Sequence, residues 1–214
     1  MREYQAKNQH IGYKKIENKG IAANTNAAAE LASGEYLALA DHDDILAPHA
    51  MYTMSQAIRQ LREAGEPDGF LYSDEALFTK KIEKPLVAHF KPDYAPDYLL
   101  CCNYICHLAV FRRELFEQVG GERPECDGSQ DHDLFLRLIE QVGGAAHVPQ
   151  VLYYWRVHEG STSGGTDAKP YVAKAAKKAL ADHLERTGRT GTIDGWPVPQ
   201  HRIGSGGTLW GSRR

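Results

Sequence analysis

Three carboxylates within four residues, Asp41-His42-Asp43-Asp44, close the short apolar run Tyr36-Leu37-Ala38-Leu39-Ala40. In an extended chain, side chains at i and i+2 share a face, so Asp41 and Asp43 point the same way at the end of a strand. Like charges held that close raise each other's pKa unless something neutralises them. A divalent cation does so, and hard carboxylate oxygens suit Mg²⁺ or Mn²⁺. Mg²⁺ keeps to one or two protein carboxylates and takes the rest of its shell from water and substrate phosphates. The pattern therefore points to a metal held against a pyrophosphate. The competing reading is a solvated turn, where aspartate is common. The place at the carboxyl end of an apolar strand, where α/β sheets put their ligands, favours the site.

Three further constellations carry polar chemistry. Asp127-Gly128-Ser129-Gln130-Asp131-His132-Asp133 leads into an apolar-periodic stretch, so Asp131 falls in the first turn of a helix. There it either complements the helix dipole or takes the proton from a hydroxyl nucleophile; the segment alone leaves both open. In Tyr153-Tyr154-Trp155-Arg156-Val157-His158, Trp155 is core or a platform for stacking a sugar, and Arg156 and His158 could meet phosphate or metal. The Gly/Ser/Thr run after His158 reads as a loop able to close over substrate. Asn18-Lys19-Gly20-Ile21-Ala22-Ala23-Asn24 puts a glycine turn before a helix, where a backbone can approach a nucleotide. No G-x-x-x-x-G-K-[ST] or G-x-G-x-x-G is present, which argues against a P-loop NTPase or a dehydrogenase.

The elements that must position these groups follow from periodicity. A short strand is expected around His10 to Ile16, then a helix capped by Asn24 or Thr25 and closed by Gly34. The strand Tyr36 to Ala40 comes next. Pro48 opens a helix with Met51, Met54, Ile58 and Leu61 on one face, ending at Gly65. Phe70-Leu71-Tyr72 reads as a buried strand closing on the acidic pair Asp74-Glu75, which, with Lys91, we read as polar loop residues. This alternation predicts an α/β fold with a mixed, mainly parallel sheet. Further on, Tyr104 to Phe111 is a strand, Arg112 to Gln118 a short helix, and Ser129 caps a helix that stops at Gly143. Val151 to Val157 is a strand and Lys169 to Thr187 a final helix.

The 214 residues are 42% hydrophobic and 25% charged with a net charge of −3, ordinary for a globular protein with a real core. No basic face marks a nucleic-acid binder. No apolar run approaches the ~18 residues of a membrane span, nor does the amino terminus carry a signal-peptide core, so a cytoplasmic location is expected. The four cysteines lack C-x-x-C spacing; zinc near His107 is conceivable, but reduced thiols fit better.

Taken in order, these pieces resemble the family 2 glycosyltransferases. The residues that carry the resemblance are Asn18-x-Gly20-Ile21-x-x-Asn24-x-x-Ala27, Ala32-x-Gly34-Glu35-Tyr36-Leu37-x-Leu39-x-Asp41-His42-Asp43-Asp44, Tyr72-Ser73-Asp74-Glu75, Phe90-Lys91-Pro92-Asp93, Asp131-x-Asp133-Leu134-x-Leu136-Arg137 and Trp155-Arg156-x-His158-x-x-Ser161. The likeness is strongest to bacterial enzymes of rhamnan-type or O-antigen polysaccharide synthesis.

The resemblance implies the GT-A fold and transfer of a sugar from a nucleotide-diphosphate donor to a glycan or lipid-linked glycan acceptor, by a metal-assisted inverting displacement. It places Asp43, Asp41 and His158 at a Mn²⁺ or Mg²⁺ ion. Asn18, Gly20, Asn24, Asp41, Arg156 and His158 fall toward the donor, Trp155 and Asp74 toward the acceptor. Asp131 becomes the catalytic base, although the Glu usual before it is Gln130. It implies work in the cytoplasm or at the inner membrane face. Family members open with strands that hold the donor's nucleotide, and this chain resembles the portion of the domain beyond those strands. A partial catalytic domain over 1–165, an extension over 166–203 and a disordered tail over 204–214 are expected. The alternatives are a non-catalytic remnant that binds glycan or a partner chain, and a metal-dependent phosphohydrolase.

Overall fold

The computed structural model describes residues 2–158 and 170–193. Six strands form one mixed sheet: β1 (Tyr36–Leu39), β2 (Ile45–Leu46), β3 (Phe70–Phe78), β4 (Val87–His89), β5 (Ala109–Arg112) and β6 (Ala146–Arg156). Their order is β1-β5-β3-β6-β2, with β4 paired to β3. The helices are α1 (Arg2–Lys7), α2 (Ile21–Ala29), α3 (Ala50–Ala64), α4 (Pro96–Cys101), α5 (Arg113–Gln118), α6 (Gln130–Val142) and α7 (Pro170–Arg186), with a 3₁₀ turn at Pro124–Cys126.

The sheet is mixed, as expected, but it is not mainly parallel. Among the described residues only β3 and β6 pair in parallel; β1–β5, β3–β5, β3–β4 and β2–β6 are antiparallel. The reason is insertion. The helix–strand alternation does set β1, β3 and β6 running one way, but β5 arrives from the middle of the chain and lies between β1 and β3, antiparallel to both.

β3 is buried along its whole length. Both of its faces are covered, so its side chains feed two cores. Phe70 and Tyr72 join Phe111, Phe135, Leu134 and Leu138 under α6. Leu71 joins Met54, Val110, Val148 and Leu152 under α3. Leu180 of α7 belongs to the first of these cores, so the carboxyl-terminal helix is packed into the main body. The ends of α3 and α6 follow the sequence: Gly65 (φ 72°) and Gly143 (φ 79°) supply the left-handed residue that lets each chain leave its helix.

Other boundaries differ. Residues 11–20 form no strand. Asn24 and Thr25 lie inside α2, whose cap is Gly20, and the helix is over before Gly34. The acidic pair read as loop sits in mid-strand: Asp74 and Glu75 are 2% and 1% exposed, and β3 runs on to Phe78. Lys91 is buried beside them. The expected tail over 204–214 and the Gly/Ser/Thr run after His158 lie outside the described residues.

Candidate active site

β1 ends at Leu39, and the turn Asp41–Asp44 carries the chain into β2, which pairs with the far end of β6. Asp44 holds this turn against β6. One of its carboxylate oxygens accepts the Tyr153 hydroxyl at 2.6 Å and the other accepts the Arg156 amide at 2.7 Å. The same Tyr153 oxygen accepts the Asp41 amide at 2.9 Å. Arg156 adds a bond from Nε to the Asp43 carbonyl at 2.7 Å, its guanidinium lying 4.5 Å above the Phe78 ring. Burial pushes the Asp44 carboxyl above its ordinary pKa.

Asp43 is the carboxylate these struts leave for other work. Its Oδ2 lies 2.9 Å from His158 Nε2, and that hydrogen bond holds its pKa below the ordinary value. The two residues stand 115 apart in the chain. Asp41 is exposed, and His107 Nε2 approaches its carboxylate at 3.7 Å. The His107 ring stacks on Tyr153 (centroids 4.7 Å apart) and meets Trp155 edge to face at 5.6 Å. Among the described residues, Asp41, Asp44 and His107 bring ligand atoms within 4.8 Å of one another. Asp44 spends both oxygens on β6, and Asp43 with His158 forms a second carboxylate–imidazole pair nearer the solvent, where a divalent cation would have to replace their mutual hydrogen bond. The pair's donor set, one carboxylate oxygen and one imidazole nitrogen beside the exposed Asp41, fits such an ion.

The second centre is the amino end of α6. Asp131 is half-buried and accepts a 2.8 Å hydrogen bond from Asn103 Nδ2. Asp133, two residues on, is fully buried and paired with Arg123 and Arg137. The two first-turn acids are thus divided into an open one and a structural one.

The glycine turn before α2 is placed differently from its reading as a nucleotide approach. Asp127 Oδ1 accepts the Ala22 amide at 2.9 Å, so a side chain of this protein occupies the helix amino terminus. A Cβ on Gly20 (φ +107°) would lie 2.0 Å from Asp127 Oδ2. Asn18 Oδ1 accepts the Gly20 amide and the Asn24 side-chain amide, shaping the same turn. Asp74, expected toward the acceptor, is sealed inside β3. Its Oδ1 accepts the Lys91 amide and His147 Nε2, both at 2.9 Å, so a carboxylate surrounded this way serves the fold. The four cysteines are free thiols, and none belongs to a metal-ligating group among the described residues.

Sequence reasoning missed the roles of Tyr153 and Asn103 and the buried Lys91–Glu75 pair, and named His107 only as a conceivable zinc ligand beside the cysteines. A tyrosine in a strand reads as core, and nothing local reveals its hydroxyl's partners. Asn103 had a faint signal, a polar residue immediately before the stretch Tyr104 to Phe111 that reads as strand.

The model of the family described as Glycosyl transferase family 2 matches residues 1–120. The Sinorhizobium fredii protein y4gI is 38% identical over 93% of this chain and 22% of its own length. The O-antigen biosynthesis protein RfbC of Myxococcus xanthus is 31% identical over 95% of this chain and 16% of its own. The chain thus spans about a fifth of the length of these curated relatives. The Staphylococcus aureus TarS structure in complex with UDP-GlcNAc superposes with a TM-score of 0.56 at 14% identity, over 78% of this chain and 47% of that one. The Pyrobaculum calidifontis mannosyltransferase PcManGT, in complex with GDP-Man and Mn²⁺, gives 0.52 at 18% identity over 90% and 51%. Both likenesses are of fold, and the fold is the GT-A type. A family match across more than half the sequence, on a backbone of that type, means that the chain belongs to glycosyl transferase family 2.

Proposed function

We propose that this chain carries the catalytic centre for moving a sugar from a nucleoside-diphosphate donor to a hydroxyl of a glycan or lipid-linked glycan acceptor, with inversion at the anomeric carbon. The observation that carries the reading is the pairing of Asp43 with His158 on a turn that Asp44, Tyr153 and Arg156 hold rigid. A preorganised site of this kind needs no rearrangement when charge develops.

Asp43 and His158 would hold the divalent cation, with Asp41 beside them. Bound there, Mn²⁺ or Mg²⁺ supplies positive charge to the departing diphosphate. Asp131 Oδ1 accepts the proton of the acceptor hydroxyl. The acceptor oxygen then forms its bond to the anomeric carbon as the bond from that carbon to the phosphate oxygen breaks, and the nucleoside diphosphate leaves with the electron pair. Arg156, through the Asp43 carbonyl, keeps the Asp43 carboxylate in place. Trp155 offers the acceptor sugar an aromatic face. Donor complexes of two proteins with this fold, one of them with Mn²⁺, support the substrate class.

The test is release of nucleoside diphosphate from UDP-, GDP- and dTDP-sugars with Mn²⁺ or Mg²⁺, and calorimetry of the same donors. Turnover lost in Asp43→Ala together with metal-dependent donor binding, and lost in Asp131→Asn with donor binding kept, is expected. An Asp43→Ala protein that turns over normally would refute the assignment. Donor or glycan binding without turnover would favour a binding module.

A further inference from the structure

We propose that Asn103 is a positioning residue for Asp131, setting which of its oxygens meets the acceptor hydroxyl; this rests on Asp131 being the base. Asn103 is 1% exposed, although it lies in the connection between α4 and β5. Its amide cannot be turned over without loss. Oδ1 accepts the Cys106 amide at 3.4 Å, a contact only the oxygen can make, so Nδ2 faces Asp131 and donates to Oδ2 at 2.8 Å. Half of the carboxylate is thereby occupied. Oδ1 is left for the incoming hydroxyl.

The connection that bears Asn103 is held from beneath. Buried Lys91 donates through Nζ to the Ile105 carbonyl at 2.6 Å and to the His107 carbonyl, and bonds Glu75 Oε2 at 3.2 Å. Glu75 Oε2 also accepts the His107 amide at 3.3 Å. Burying an ion pair in a central strand rarely adds stability over apolar residues. Here it fixes five residues whose first side chain bonds Asp131 and whose last faces Asp41. The carboxylate on the acceptor side and the acidic turn on the donor side are thus registered to each other through one short segment. The effect on Asp131 is orientation, worth most when a proton must pass along one lone pair.

Two substitutions test this in the full chain, with nucleoside-diphosphate release from UDP-, GDP- and dTDP-sugars in the presence of Mn²⁺ as the readout. Asn103→Leu keeps the size and removes the donor. It is expected to lower kcat about 10- to 100-fold, the worth of a hydrogen bond to a charged group, with KM for the donor unchanged. Asn103→Asp carries the sharper signature. A carboxyl at this position donates to Asp131 only while protonated, and the neighbouring charge favours keeping that proton. Its deficit relative to the parent protein is therefore expected to shrink as pH falls, whereas a packing defect would be the same at every pH. A pH-independent deficit, or full activity in Asn103→Leu beside an inactive Asp131→Asn, overturns the inference and leaves the base assignment standing. An active Asp131→Asn overturns the base assignment itself. Should Asn103→Leu fail to fold, the Asn103 side-chain amide in ¹⁵N NMR decides: its protons must move upfield in Asp131→Asn, and unmoved signals refute the contact.

Discussion

Glu122 offers a clean measurement of what burial does to charge in this protein. It follows Gly121 at the end of the α5 connection, is 3% exposed, and its Oε2 has no hydrogen-bond partner among the described residues. Burial, helped by the negative charge of Asp131 and Asp127, pushes its pKa from 4.5 up to about 8; the Thr25 hydroxyl and Arg137 oppose the shift. The folded protein therefore carries this carboxyl neutral at pH 7, while the unfolded chain ionises it. Between the two pKa values the native state binds the extra proton, so stability falls as pH rises, by about 1.4 kcal/mol per unit. From pH 5 to pH 7 the loss is about 3 kcal/mol, and it levels off above pH 8 where both states are ionised. Glu122→Gln keeps the shape and cannot ionise. Urea denaturation of both proteins at pH 5, 6, 7 and 8 removes every other titration from the comparison. The glutamine variant is expected to gain on the parent steadily with pH. By pH 7 its extra advantage, relative to pH 5, should be about 3 kcal/mol in the unfolding free energy. A stability difference that does not change between pH 5 and pH 7 would show that Glu122 is ionised in the fold and that the burial argument is wrong.

Substitutions at Lys91, Glu75 and two glycines probe the packing elsewhere. Lys91→Met leaves buried Glu75 without its lysine and should cost about 3–5 kcal/mol in chemical denaturation, most of it recovered in the double variant Lys91→Met/Glu75→Leu; a double variant no better than the single would mean that Lys91 matters for its bonds to Ile105 and His107 alone. Gly20→Ala puts a methyl 2.0 Å from Asp127 Oδ2 at φ +107° and should cost at least ~1–3 kcal/mol by thermal melting, whereas Gly65→Ala, with open space around the Cβ, should cost only the left-handed backbone penalty of ~1 kcal/mol.

The parts of the fold legible in the sequence are those specified by neighbours in the chain. Gly65 and Gly143 end their helices where a left-handed residue is needed, and the apolar stripe of α6 marks its buried face. The failures share a cause: the decisive partner lies far away in sequence. Ser73-Asp74-Glu75 reads as the end of a strand because polar groups do not enter a core unpaired. They do enter it here, because His147, Lys91 and the connection after α4 bring partners to them. The sheet's balance of directions is hidden for a similar reason, since β5 separates two strands that the helix–strand rhythm suggests are neighbours. At the site, Asp43 and His158 were legible as residue types in an ordered pattern. Tyr153, which ties Asp41 to Asp44, was not, because its hydroxyl does something its place in the strand does not reveal.

Three carboxylates in four residues need neutralisation, and a bound cation is one source of it. The protein itself supplies much of the rest. Tyr153 and the Arg156 amide satisfy Asp44, and His158 hydrogen-bonds Asp43. Repulsion alone therefore does not require a metal. What favours one is the inequality among the three. Asp44 is spent on the fold, with both oxygens committed to β6. Asp43 meets an imidazole at the solvent edge, a partner that can turn to share a ligand with it. A turn built only to be stable would have no reason to treat its second and third acids so differently, since a partner as firm as Tyr153 would serve both. Asp44 anchors the loop with both oxygens, so that the Asp43 carboxylate, whose backbone Arg156 holds, is presented with His158 at the solvent edge.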